Sequence, residues 1–202
     1  MDTEAARSRL TSASVTEEEA FIQRLRDGDR TALDEFWQRF GARLLGYAAT
    51  RLGGDKDLAE DVSIQSLAAA IRSIRSFDPR RASLSAWMYG VARRIIDGEL
   101  RSRRKRSAVP ASATVPFDEA MGCEATQHLE HDLPSRLEAQ RQVRVLASAL
   151  SPAEMEVLVL HFVDEFSVKE MAQITGRSWR GVDSLLHRAK QKARERLAQD
   201  GN

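Results

Sequence analysis

The feature that most constrains this chain is a period. Apolar residues recur three or four positions apart in two long blocks, 16–106 and 136–198, and they almost never alternate singly with polar ones. That spacing places them along one face of an α-helix, and its persistence leaves no room for a sheet. The expected fold class is all-α. Between the blocks, residues 107–135 carry Pro110, Pro116 and Pro134 among small residues and the acidic Asp118, Glu119, Glu124, Glu130 and Asp132. So long a structureless stretch is uncommon inside one compact domain. It reads as a flexible linker between a four-helix N-terminal domain, 16–106, and a smaller C-terminal domain, 136–198.

Start and stop signals place the helices. Thr16 to Asp27 reads as the first, with Glu17, Glu18 and Glu19 in its electropositive first turn and Gly28 as its stop. Thr31 to Leu52 follows, ended by Gly53 and Gly54, with Leu33, Phe36, Trp37, Phe40, Leu44, Leu45 and Tyr47 expected to face inward. A third runs from Asp57 to Ile74. A fourth runs from Ser83 or Leu84 to about Arg104, with Trp87, Met88, Val91, Ile95 and Leu100 on its apolar face. Beyond the linker, Arg136 to Leu150 reads as a helix. Ser151-Pro152-Ala153-Glu154 combines an N-cap, a proline in the first turn and a glutamate placed for a capping box. Ser167 and Glu170 repeat that arrangement before a short helix, and a last helix runs from about Ser178 to Leu197.

Composition removes several classes of function. Hydrophobic residues make up 42% of 202 positions, enough for packed cores. Cys123 is the single cysteine, so no disulfide framework is available within the chain. The first sixteen residues lack the apolar core of a secretion signal, and no apolar run approaches the ~20 residues needed to span a membrane. The expectation is a cytoplasmic protein with no membrane partner. Cys123, His128 and His131 lack zinc-site spacing, no phosphate-cradling glycine loop or nucleophile elbow is present, and His161 sits in an apolar helix. The expectation is therefore a non-enzyme without metal or cofactor.

Net charge is only +1, so the distribution of charge matters more than its sum. Ser167 to Leu186 reads helix, then Thr175-Gly176-Arg177-Ser178, then helix, the layout of a helix-turn-helix. Arg177, Ser178, Trp179, Arg180, Asp183, Ser184, His187 and Arg188 stand at or near the start of its second helix, the part that enters a major groove. Farther along, Lys190, Lys192, Arg194 and Arg196 suit phosphate contact. A second basic element is the run Arg101 to Arg106, which closes a helix already carrying Arg93 and Arg94. Cations favour a helix C-terminus, but so many repel one another without an anionic partner. Just upstream, Phe77 to Ser83 with Arg80 and Arg81 forms a basic loop beside Trp87 and Tyr89, suited to gripping unstacked bases. The spacing of Trp87 with Val91 and Ile95 favours a core position for that indole.

These residues together resemble the extracytoplasmic-function sigma factors of bacterial RNA polymerase. The resemblance to their region two runs from about Glu18 to Arg106, through Leu25-Arg26-Asp27-Gly28-Asp29, Ala59-Glu60-Asp61-Val62, Phe77-Asp78 and Ser85 to Arg93. The resemblance to region four runs from about Leu146 to Leu197, through Leu150 to Glu154, Glu170-Met171-Ala172 and Gly181 to Ala189. It implies a role in directing polymerase to promoters and opening the DNA. By the same resemblance, Asp61, Ile64 and Gln65 contact the polymerase core, whose clamp coiled coil and flap are the implied partners. Arg80, Arg81, Ser83, Tyr89, Arg93, Arg94, Asp97 and Arg101 serve the minus-ten element, and the helix-turn-helix residues above read the minus-thirty-five element. An anti-sigma factor is a further implied partner. Ile64-Gln65 stands where the family usually has Gln-Glu, Arg94 where it often has Asn, Asp183 where Lys is frequent and Leu185 where Arg is frequent. The last two imply less positive charge on the recognition helix.

From the residues alone, two other functions stay open. A stand-alone helix-turn-helix regulator would use only the C-terminal half, and a protein-interaction adaptor would use neither basic surface on DNA.

Overall fold

The computed structural model describes residues 17–106 and 142–200. Among them there are eight α-helices, one short 3-10 turn and no strand. The N-terminal domain consists of α1 over 17–26, α2 Arg30–Arg51, α3 Lys56–Ser73, the 3-10 turn Ile74–Ser76 and α4 Leu84–Arg106. The C-terminal domain consists of α5 over 142–149, α6 Pro152–Phe162, α7 Val168–Thr175 and α8 Trp179–Asp200. The expected linker, 107–135, lies outside the described residues, as do Cys123, His128 and His131.

Local chemistry sets the helix ends. Gly28, Gly53 and Gly54 all take positive φ, as the expected stops require. Helix α2 starts one residue earlier than its sequence pattern predicts. Asp29 is its N-cap and accepts from the Thr31 amide at 2.8 Å and the Ala32 amide at 3.3 Å. Asp55 caps α3 by accepting from the Leu58 amide at 3.1 Å. Both expected capping boxes form, Ser151 with Glu154 and Ser167 with Glu170.

The N-terminal core is built from α2, α3 and α4. Phe36, Phe40, Leu44 and Tyr47 of α2 are buried and meet Val62, Leu67, Leu84, Met88, Ala92 and Ile96 in one cluster. Trp37 departs from expectation: it is 51% exposed. It follows Phe36 by one residue, about 100° around the helix, and its indole lies along the outer face of α2 over Gly41. Trp87 is half-buried and packs at a tilt on Phe77, ring centroids 5.1 Å apart. Arg26 of α1 donates to the Phe77 carbonyl at 2.7 Å and so ties the first helix to the loop before α4.

The C-terminal core is Val157, Leu160, Met171, Ile174, Val182, Leu186 and Ala189, contributed by α6, α7 and α8. The two domains also touch each other directly, α7 lying on α4 and α6 on α2. Sequence periodicity carries no information about that contact.

Candidate nucleic-acid interface

The helix-turn-helix forms as the sequence predicts. Ser167 caps α7, and the helix ends at Gly176 in the left-handed region with φ 66°. Ser178 then accepts from the Gly181 amide at 3.2 Å, steadying the first turn of α8. Val182, Leu185, Leu186 and Ala189 are buried. Their spacing pins one face of α8 to the domain and turns the other outward. Arg177, Ser178, Trp179, Arg180, Asp183, Ser184, His187 and Arg188 are all exposed. Leu185, where the family often has arginine, is a core residue, so its side chain adds nothing to the charge or contacts of the outer face. His161 is half-buried, and its Nε2 lies 3.0 Å from Lys190 Nζ.

Asp61, Ile64 and Gln65 lie on the solvent side of α3. Their spacing puts them on one face of that helix, and Ile64 is 51% exposed there.

The residues expected at the minus-ten element fall into two groups. Arg80, Arg81, Arg94 and Arg101 are exposed. The loop that carries the first two is shaped by Asp78, whose side chain accepts from the Arg80 amide at 3.0 Å and whose carbonyl accepts from the Arg81 amide at 3.0 Å. Phe77, Asp78, Pro79 and Arg80 also wall a hollow of about 480 Å³, completed by Glu18, Glu19, Ile22 and Arg26 of α1. Of the basic run, Arg103 bonds Asp55 at 2.9 Å and Arg106 bonds Glu99 at 2.7 Å. Arg101, Arg104 and Lys105 have no ion pair among the described residues.

Ser83, Tyr89, Arg93 and Asp97 form the second group, and each is engaged. The Ser83 hydroxyl donates to Glu170 at 2.8 Å. Tyr89 is wholly buried beneath the C-terminal domain, stacked edge-on to Phe166 with centroids 4.8 Å apart, and donates to Asp164. Arg93 donates to Glu156 at 3.1 Å and pairs with Asp97 at 3.1 Å. In this arrangement Tyr89 does not reach solvent, so it meets DNA only if the two domains separate. The reason is tertiary: α7 packs on α4, and Asp164 and Phe166, in the segment between α6 and α7, come to lie against Tyr89.

Six partners in this contact escaped the sequence reading: Arg43, Arg51, Glu156, Asp164, Phe166 and Gln173. Glu156 is 1% exposed yet sits between the apolar Met155 and Val157 of α6. A carboxylate in such a run was the available signal, since buried charges are kept only when paired. It accepts from the Tyr47 hydroxyl at 2.7 Å and from Arg51 and Arg93. Burial opposes the charge on Arg93, but Glu156 and Asp97 outweigh it and hold the guanidinium above its ordinary value. Burial, with Glu156 beside it, pushes the Tyr47 hydroxyl well up, and burial with Asp164 does the same to Tyr89. Both phenols are therefore hydrogen-bond donors, not acids. Burial also raises the Asp164 carboxyl, against the lowering influence of Tyr89 and Arg43. Among the described residues, no group of three or more His, Cys, Asp or Glu is placed to hold a metal ion.

Comparison with known proteins agrees with this layout. The sequence model described as Sigma-70 region 2 matches residues 36–106, and that described as Sigma-70, region 4 matches residues 140–192. The ECF RNA polymerase sigma factor BldN of Streptomyces coelicolor is 25% identical over 169 residues, covering 83% of this chain. The chain spans 61% of BldN's own length. The ECF RNA polymerase sigma factor EcfG of Rhodopseudomonas palustris is 28% identical over 153 residues, covering 76% of this chain and 78% of that protein. Among solved structures, CnrH in complex with the cytosolic domain of CnrY is similar with a TM-score of 0.63 at 20% identity, covering 91% of this chain and 98% of that one. The sigma factor RpoE in complex with the anti-sigma factor NepR from Bartonella quintana is similar with a TM-score of 0.56 at 22% identity, covering 81% and 97%. With Sigma-70 regions two and four matched in that order on two helical domains, this chain belongs to the extracytoplasmic-function sigma factors of RNA polymerase.

Proposed function

We propose that this sigma factor brings core RNA polymerase to specific promoters by reading two separated DNA elements, and that it helps open the DNA between them. Residues 16–106 form the domain for the polymerase core and the minus-ten element, 107–135 the linker, and 136–198 the domain for the minus-thirty-five element. The observation that carries the reading is the outer face of α8. Every side chain assigned to base or phosphate contact, from Arg177 to Arg188, is exposed, while Val182, Leu185, Leu186 and Ala189 anchor the helix from behind. Such a helix sits in a major groove with its N-terminal residues at the base edges.

In the N-terminal domain, Arg80, Arg81, Arg94 and Arg101 supply positive charge along the loop and α4. Taking a base out of the stack costs a few kcal/mol, and the hollow walled by Phe77 to Arg80 is the place where that base is held. Asp61, Ile64 and Gln65 contact the clamp of the polymerase core. The similar CnrH and RpoE structures each hold a bound partner, so an anti-sigma factor is proposed here too. The work is cytoplasmic and non-enzymatic, and among the described residues no helix is long and apolar enough to cross a membrane.

Run-off transcription with core polymerase on a library of promoter fragments tests the reading. Discrete start sites that depend on this chain are expected. No transcript from any template, together with no binding to core, overturns it.

A further inference from the structure

The outer face of α8 carries an anion where its neighbours carry cations. Asp183 stands in the second turn of the helix, and Arg180, Ser184, His187 and Arg188 surround it, all exposed. The buried Val182 and Leu186 fix the rotation of the helix and hold Asp183 outward. Asp183, Ser184, His187, Arg188 and Lys190, with the buried Leu186, wall a hollow of about 430 Å³. The other α8 carboxylates are engaged: Glu195 accepts from Gln191 at 2.9 Å, and Asp200 has a partner of its own. Asp183 has no hydrogen bond or ion pair among the described residues, although Arg180 and His187 lie within one turn of it. Its carboxylate is free to accept from a ligand.

An anion on a face that approaches duplex DNA is repelled by the phosphates, whatever the sequence. The repulsion is offset only where a base offers a hydrogen, because a carboxylate accepts and never donates. In the major groove guanine presents N7 and O6 and thymine presents O4, all acceptors that repel it. Cytosine N4 and adenine N6 are the available donors. The adenine amino group lies beside the acceptor N7, whose lone pair faces an incoming carboxylate. On cytosine that flank is a carbon-bound hydrogen. Cytosine is the base edge that Asp183 matches.

We infer that Asp183 is a specificity-determining residue, accepting a hydrogen bond from the N4 amino group of one cytosine in the minus-thirty-five element. This rests on the promoter reading above for the entry of α8 into that major groove. Rejection contributes as much as attraction, since guanine or thymine at that position sets acceptors against a charge already opposed by phosphates. Arg188, a turn and a half farther along the same hollow, has the opposite requirement and suits guanine O6 and N7.

The test uses the full chain assembled with core polymerase. Duplex fragments of a promoter found by run-off transcription, randomised across the minus-thirty-five element, are retained on the holoenzyme and sequenced. The wild-type chain is expected to enrich cytosine at one position about fivefold or more over each other base. Asp183→Ala should erase the preference at that position and leave the rest of the enriched sequence unchanged. Asp183→Asn should move it to adenine, whose N6 and N7 match an amide. Asp183→Glu should keep cytosine. A wild-type sequence with no enriched cytosine overturns the inference. So does an Asp183→Ala variant that keeps the wild-type sequence preference and binds every fragment more tightly, because Asp183 would then only repel. A wild-type holoenzyme that retains no sequence in preference to another defeats the promoter reading and this inference with it. Retention of a defined sequence that is indifferent to Asp183 defeats this inference alone.

Discussion

The Tyr89 hydroxyl donates to the Asp164 carboxylate across the boundary between the two helical domains, 75 residues apart in the chain. Both groups are buried, and the Tyr89 ring packs on Tyr47 and Phe166 while Asp164 also pairs with Arg43. Tyr89→Phe keeps the ring on Phe166 and Tyr47 but leaves Asp164 with Arg43 alone. An underpaired buried acceptor costs about 1–3 kcal/mol. The expected result is a weakened domain contact with each domain's own fold intact. Interdomain energy transfer should fall while helix content by circular dichroism stays constant.

Gly176 holds the corner of the helix-turn-helix at φ 66°. No atom would crowd a Cβ there, so the obstacle to a side chain is the backbone conformation itself. Gly176→Ala is expected to destabilise the C-terminal domain by about 1–2 kcal/mol, read as a lower melting temperature. A matched Gly28→Ala variant should lower stability through the N-terminal domain without altering minus-thirty-five binding.

Glu154 provides a pH dependence. The hydrogen bond from Lys192, at 2.8 Å, is the main influence lowering its carboxyl from 4.5 to about 2, with Ser151 adding to it against burial. The folded state therefore binds fewer protons than the unfolded chain between those values. Stability from this group is fully present above 4.5 and is lost as pH falls toward 2. Lys192→Met is expected to lower neutral-pH stability by up to about 1 kcal/mol and to flatten the acid limb. Thermal melts across the acid range check both.

Trp179 and Arg180 stand free at the start of α8, Trp179 with 56% of its surface exposed. Alanine at either position is expected to leave the melting temperature unchanged. Loss of a base-edge contact costs about 1–3 kcal/mol, so transcription from promoters that depend on the minus-thirty-five element should fall at least several-fold. Promoters that do not depend on it should be spared.

Much of the fold was legible in advance because its signals are local. The Ser151 and Ser167 capping boxes, the glycine stops at 28, 53 and 176, and the inward faces of α2 and α8 each depend on residues a few positions apart. The exposure of the recognition helix was legible for the same reason: Val182, Leu186 and Ala189 name the buried side and leave Arg180, Asp183 and His187 on the other. Trp37 was misplaced because a large apolar side chain one step off the buried stripe has no local mark that distinguishes it. Tyr89 was harder still. Its spacing fits a core face, but the core it joins includes Phe166 of the other domain.

The sequence by itself determined that this chain is two helical modules, where each helix begins and ends to within a few residues, and which face of α8 looks outward. Helical period, caps and left-handed glycines act over one or two turns, and their free energies are set before any distant part of the chain arrives. Only the tertiary structure decided that Glu156 meets Arg51, 105 residues away, and that Arg93 and Tyr89 lie beneath α6 and α7 rather than in solvent. Such pairings arise from the fit of two finished surfaces, and a buried carboxylate acquires its meaning only from the cation the fold places against it.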